Sequence, residues 1–125
     1  MRVFFDTEFT ELGIDPRLIS IGLISEDGRR EFYAELSGTY QIEDCSDFAR
    51  LAVIPKLTGA EVRLSLAELG DRLYTWLTTF GAPIKLATDS LAWDWPWVQE
   101  IFYDRAWPEN VSPKPDILES VDNQP

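Results

Sequence analysis

Residues 18–36, LISIGLISEDGRREFYAEL, set two β-favouring runs on either side of one Asp-Gly turn. β-Branched and aromatic side chains suit a pleated, half-buried surface, and Asp-Gly supplies the positive φ that tight hairpin turns need. RVFFD, residues 2–6, is a third run of the same kind. These segments predict an antiparallel meander of three strands over 2–6, 18–25 and 30–36. Downstream the period changes. Leu66, Leu69, Leu73, Trp76, Leu77 and Phe80 share one face at helical spacing, which predicts a helix over 65–80. Ser65 and Glu68 form a capping-box pattern at its start, and Gly81 and Pro83 close it. IKLATD, residues 84–89, predicts a fourth strand. Pro96 is read in the first turn of a second helix running to about Tyr103, with Trp93, Trp97, Val98, Ile101 and Phe102 on its buried side. A meander followed by helix, strand and helix predicts an α/β fold, with a parallel strand joined to the meander in a mixed sheet and helices flanking it.

Residues 37–62 show weak periodicity, and DCSDFARLAVIPKL predicts a short helix broken before Pro55. From Arg105 onward the chain is rich in proline and polar residues, with DILESV as one short element. A folded domain over 1–110 and a Pro-rich segment over 111–125 follow. At 125 residues one domain buries most of its apolar surface. No apolar run approaches the roughly 20 residues that span a bilayer, which argues against a membrane protein. The start MRVFFDTEF lacks a secretory pattern, so the cytoplasm is the default location. Cys45 is the single cysteine, which excludes an intrachain disulfide, and the lack of histidine excludes imidazole as ligand or base. The net charge of -11 argues against broad electrostatic binding to nucleic acid, so a polyanionic substrate would need metal ions or a local basic patch.

Within VFFDTEFTELG, residues 3–13, Asp6 and Glu8 stand two apart on a strand and therefore project to one face. Adjacent carboxylates repel, and a shared proton, an Arg or Lys, or a divalent cation relieves them. Hard oxygen donors of this type suit Mg²⁺ or Mn²⁺. Taken alone, the pair reads more simply as a solvated strand end. Asp94 follows another strand at the head of the second helix, where an Asp near Pro96 also makes a good N-cap. Asp89 reads as a turn residue. In WDWPW, Trp93 and Trp97 read as core, and Trp95 as the candidate for stacking on a base.

On these residues the sequence resembles the DEDD superfamily of 3'-5' exonucleases, nearest a small bacterial exoribonuclease-like branch, over roughly residues 1 to 110. The family's D-x-E strand followed by S-I-G is matched by FFDTEFTELGIDPRLISIGLIS. Its second motif, like N-x-x-F-D, is matched by Ser90, Leu91, Ala92, Trp93 and Asp94, with Ser for Asn and Trp for Phe. The resemblance implies an RNase H-like fold and, in the family, two Mg²⁺ or Mn²⁺ ions held by four carboxylates, of which Asp6, Glu8 and Asp94 are three, as ligands and catalytic residues; three carboxylates suffice for one ion. Asp6 would bridge both ions, Glu8 would hold the water-activating one, and Asp94 the other. It also implies single-stranded RNA or DNA as substrate, taken from the 3' end, with Thr7, Phe9, Ser90 and Trp95 as contact candidates.

The family's third motif, with the fourth carboxylate and a His or Tyr base, has no counterpart. Tyr103 is followed four residues later by Trp107, and Asp116 and Asp122 lie in no matching context. Truncation or degeneration then predicts a missing C-terminal strand and helix, weak or absent activity for these 125 residues, and uncovered apolar surface that favours a homodimer. Two rival readings stand beside this one. A phosphatase of the haloacid-dehalogenase type wants a second Asp and Gly-Thr where DTEFT has Glu and Phe. A non-catalytic binding or assembly module would keep the fold without its chemistry.

Overall fold

Asp-Gly occupies the turn it predicted: Gly28 has φ 74°, and the Gly28 N–H donates to the Ser25 carbonyl at 2.8 Å. In the computed structural model, which describes residues 1–11, 15–57, 59 and 63–118, this turn joins β2 (Leu18–Ser25) to β3 (Glu31–Leu36). β1 (Arg2–Phe9) pairs antiparallel with β2, so the expected meander is formed. β1 runs three residues past its apolar start because Thr7 continues the inward alternation of Val3 and Phe5, while Asp6 and Glu8 take the outward positions. A register irregularity between Glu8 and Phe9 pairs Glu8 with Ser20 and Phe9 with Leu18. The intervening Ile19 is thereby freed to bury in a separate apolar cluster with Cys45, Ala49 and Val53.

β4 (Arg63–Leu64) adds a short parallel edge to β3, and α1 (Leu66–Thr78) follows at once. The capping box is present: Ser65 Oγ accepts from the Glu68 N–H at 3.2 Å, and Glu68 Oε1 accepts from the Ser65 N–H at 3.1 Å. α1 ends two residues before the predicted Phe80. There the Thr78 and Thr79 hydroxyls donate back to the Tyr74 and Trp76 carbonyls at 2.9 and 2.7 Å, which competes with the helical ladder. β5 (Lys85–Thr88) returns parallel to β1, and α2 (Leu91–Ile101) packs beside it.

Three expectations need correction. The C-terminal strand is present: β6 (Asp116–Ile117) pairs parallel with β5, and Lys85 Nζ meets Asp116 Oδ1 at 3.0 Å. Residues 111–118 therefore continue against the sheet, with Val111 buried and bridged to Ile84. The helix carrying Pro96 starts at Leu91, which puts Pro96 in its interior. The carbonyl that loses a donor to Pro96 belongs to exposed Ala92, where water can serve it. In place of a short helix broken before Pro55, residues 42–57 form a 3-10 turn at Ile42–Asp44, a π turn at Ala49–Val53 and a 3-10 turn at Ile54–Lys56 that contains Pro55. Asp122 lies outside the described residues.

The sheet order is β4-β3-β2-β1-β5-β6, with β1 near its centre. Both helices cover one face. Leu69, Leu73 and Leu77 of α1 and Val98 and Ile101 of α2 pack on Val3, Phe5, Ile21 and Leu23, and each such side chain contributes about 1.5–3 kcal/mol of burial. Buried Gly70 of α1 leaves room for the Arg105 guanidinium, which donates to the Ala67 carbonyl and pairs with Asp71. Among the described residues no helix is long and apolar enough to cross a membrane.

Candidate active site

The face of the sheet that the helices do not cover carries the acids. Asp6 pairs across the ladder with Gly22, and Gly22 with Tyr33; Glu8 pairs with Ser20, and Ser20 with Glu35. Directly opposed residues share a face, so these six positions form one surface. Gly22 contributes no side chain there, which leaves space in front of Asp6. The segment 42–57 closes the far side. A cleft of about 290 Å³ results, lined by Asp6, Glu8, Gly22, Tyr33, Phe48 and Lys56 among others. A second cleft, of about 530 Å³, shares Asp6 and adds Asp89.

Burial and like charge both strain the acid pair. Asp6 is pushed above its ordinary 3.8, first by burial and then by the charges of Asp94 and Asp89, against the Thr7 backbone N–H. Glu8 is raised from 4.5 by burial and then by Asp6 and Asp94, with Lys56 opposing. Two carboxylates side by side on one open face suit a hard cation, and in chemistry the pair fits Mg²⁺ or Mn²⁺. Tyr33 is pushed up to about 12, mainly by burial and by its hydrogen bond to Glu35, so it carries its proton at neutral pH. Its hydroxyl donates to Glu35 Oε2 at 2.7 Å, and the Gly59 N–H donates to Glu35 Oε1 at 3.0 Å.

Asp94 sits differently. It is 2% exposed on α2, and both carboxylate oxygens are engaged: Thr7 Oγ1 donates to Oδ1 at 2.5 Å and Thr88 Oγ1 to Oδ2 at 2.6 Å. Thr7 points to the helix face of β1, opposite Asp6 and Glu8. The carboxylate thus ties together the ends of β1, β5 and the start of α2. Among the described residues no three acidic, cysteine or histidine side chains converge to hold a metal ion.

The structure also locates the other candidates. Ser90 is exposed and is itself the N-cap of α2, and its N–H donates to Thr88 Oγ1 at 3.2 Å. Thr7 is buried and committed to Asp94. The tryptophans exchange roles: Trp95 turns into the core, 6.4 Å from Phe5 and 5.8 Å from Trp107 between ring centroids, whereas Trp93 is 48% exposed. Starting α2 at Leu91 places Asp94, Val98 and Ile101 inward and leaves Trp93 on the flank, against Phe9. Tyr103 is 83% exposed. Tyr33 and Lys56 were not singled out by sequence. Tyr33 was within reach of the hairpin register, but Lys56 joins the cleft through an irregular segment with no periodic signal.

No family model matches the chain. A 3'-5' exoribonuclease of Mycobacterium tuberculosis, found in strains CDC 1551 / Oshkosh and ATCC 25618 / H37Rv, is 49% identical over 77 residues, covering 54% of this chain. The match covers 45% of that relative, so the chain spans less than half its length. An Exonuclease I from Methylocaldum szegediense superposes with a TM-score of 0.59 at 17% identity, over 97% of this chain and 28% of that one. The fold is RNase H-like, and over the 77 matched residues the sequence is similar to that exoribonuclease.

Proposed function

We propose that this chain is a metal-dependent 3'-5' exonuclease unit that hydrolyses the terminal phosphodiester of single-stranded nucleic acid, RNA in the first place. The observation that carries this is the Asp6–Glu8 pair, two carboxylates on one open face of the sheet lining a cleft with Lys56. The exoribonuclease relatives support RNA as the polymer. Asp6 and Glu8 would hold the divalent cation. When bound, such a cation supplies charge stabilisation at phosphorus and makes water a better nucleophile.

The chain's own residues supply the remainder. Lys56 presents a positive charge to the phosphate within a protein of net charge -11. The Tyr33 phenol, protonated at neutral pH, fixes Glu35 and serves as a hydrogen-bond donor, not as a base. Phe48, 71% exposed at the rim, offers an apolar face to a base or ribose. Asp94 braces the acid-bearing end of β1 through Thr7 and, in this arrangement, contributes no ligand.

That same arrangement also favours the second reading, a binding module of the same fold without catalysis. The deciding experiment is digestion of a 5'-labelled single-stranded RNA by this chain with Mn²⁺, beside Asp6→Ala. A ladder shortening from the 3' end and lost in the variant establishes the exonuclease. Intact RNA in both reactions refutes it and leaves the binding module.

A further inference from the structure

Trp93, Pro96, Trp97 and Glu100 of α2 stand at i, i+3, i+4 and i+7 and so share one stripe of the helix. Beside this stripe run two clefts of about 590 and 610 Å³ that share Leu66, at the start of α1, and Glu100, and together they make one groove. Phe9 lines the first cleft, its ring 6.4 Å from that of Trp93 and 6.1 Å from that of Trp97. Trp93 keeps about half its surface in solvent, and exposed Tyr103 lines the second cleft.

The charges of the groove are unbalanced. Its two guanidinium groups are already held, Arg17 by Asp15 at 2.9 Å and Arg105 by Asp71. Glu100 and Asp104 are exposed and form no ion pair among the described residues. The charge of Glu100 acts on Arg17 without pairing with it. Glu100 also occupies the last turn of α2, which holds no basic residue, so it adds to the negative end of the helix dipole. Aromatic surface and uncompensated negative charge thus lie side by side.

We propose that this groove docks a basic, apolar segment of a partner protein, its apolar side chains on Phe9, Trp93 and Trp97 and a lysine or arginine against Glu100 and Asp104. Charge complementarity selects the occupant: a second copy of this chain, with net charge -11, and a polyanion both meet like charge there. A cation over the open face of Trp93 gains a further attraction. Length fits as well, because the 11 residues of α2 extend about 16 Å, enough for a peptide of several residues. The docking does not depend on the exonuclease reading, since the acids lie on the sheet face that the helices leave uncovered.

The test is calorimetric titration of a synthetic peptide of leucine and lysine into the full chain in EDTA. One control peptide carries serine for leucine and another glutamate for lysine. The leucine–lysine peptide is expected to bind and both controls to fail. Trp93→Ala and Glu100→Lys should each weaken it about 2- to 30-fold, the range that losing a cation–π contact or reversing an exposed charge produces. Glu26→Lys makes the same charge change at the β2–β3 turn, outside the groove, and should leave affinity unchanged. Equal weakening by Glu100→Lys and Glu26→Lys means that the peptide follows net charge alone and overturns the site. Absence of binding to wild type overturns it too, as does unchanged affinity in Trp93→Ala. Glu100→Lys, an exposed change that the helix dipole favours, decides the matter if Trp93→Ala does not fold. A wild-type dimer in sedimentation that Glu100→Lys dissociates makes the groove an interface between copies and likewise overturns the proposal.

Discussion

Replacing Asp94 by alanine removes a carboxylate that accepts two hydroxyl hydrogen bonds in a buried site, from Thr7 at 2.5 Å and Thr88 at 2.6 Å. Hydrogen bonds to a charged group contribute about 1.5–3 kcal/mol each, so the loss is roughly 3–6 kcal/mol. For a domain of this size, whose total stability is about 5–15 kcal/mol, that is a large share. At about 4 °C per kcal/mol the midpoint should fall by roughly 12–24 °C. Thermal and urea unfolding of wild type and Asp94→Ala in EDTA measures it. Asp94→Asn keeps the shape and one acceptor and should lose less. Removing Asp94 also relieves its repulsion of Asp6 and Glu8, so metal-free stability of Asp94→Ala within about 0.5 kcal/mol of wild type would mean that this relief matches the lost hydrogen bonds and would refute the reasoning.

The acid pair makes an opposite prediction about pH. Asp6 and Glu8 have folded-state carboxyls raised above 3.8 and 4.5, so the stability they contribute is present below those values and lost as pH rises through the raised ones. In EDTA, wild type should therefore lose stability relative to Asp6→Asn/Glu8→Gln from about pH 4 upward, as urea unfolding across that range would record. An unchanged difference between the two proteins would contradict the strained pair. Tyr33→Phe removes one donor to Glu35, which is 1% exposed, and should destabilise by about 1.5–3 kcal/mol in the same assay. Ser65→Ala opens the capping box of α1 and should cost about 1 kcal/mol by thermal unfolding.

What the sequence disclosed follows from how local each signal is. The meander rests on three runs and an Asp-Gly turn, and α1 on a cap and a face of leucines, all within one element each. The shared face of Asp6 and Glu8 is likewise a matter of strand alternation. β4 was hidden because it has two residues, too few to show a period, and DILESV marks a short element where β6 forms without showing that its first two residues are a strand. Pro96 drew the start of α2 toward itself; the true start at Leu91 shifts the helical phase, and at about 100° per residue that exchanges Trp93 and Trp95 between solvent and core. The setting of Asp94 depends on Thr7, 87 residues away, and on Thr88, whose hydroxyls become partners only once β1 and β5 are side by side. Lys56 enters the acid cleft on a turn whose path no propensity describes.

Divalent-cation binding to the metal-free protein tests the central claim most directly. Titration of Mn²⁺, followed by electron paramagnetic resonance, should show saturable binding to wild type, its loss in Asp6→Asn/Glu8→Gln, and its retention in Asp94→Asn. Absence of binding to wild type, or binding indifferent to Asp6 and Glu8, would contradict the assignment of the acid face as the cation site. Loss in Asp94→Asn as complete as in the double variant would contradict the placing of Asp94 against Thr7 and Thr88.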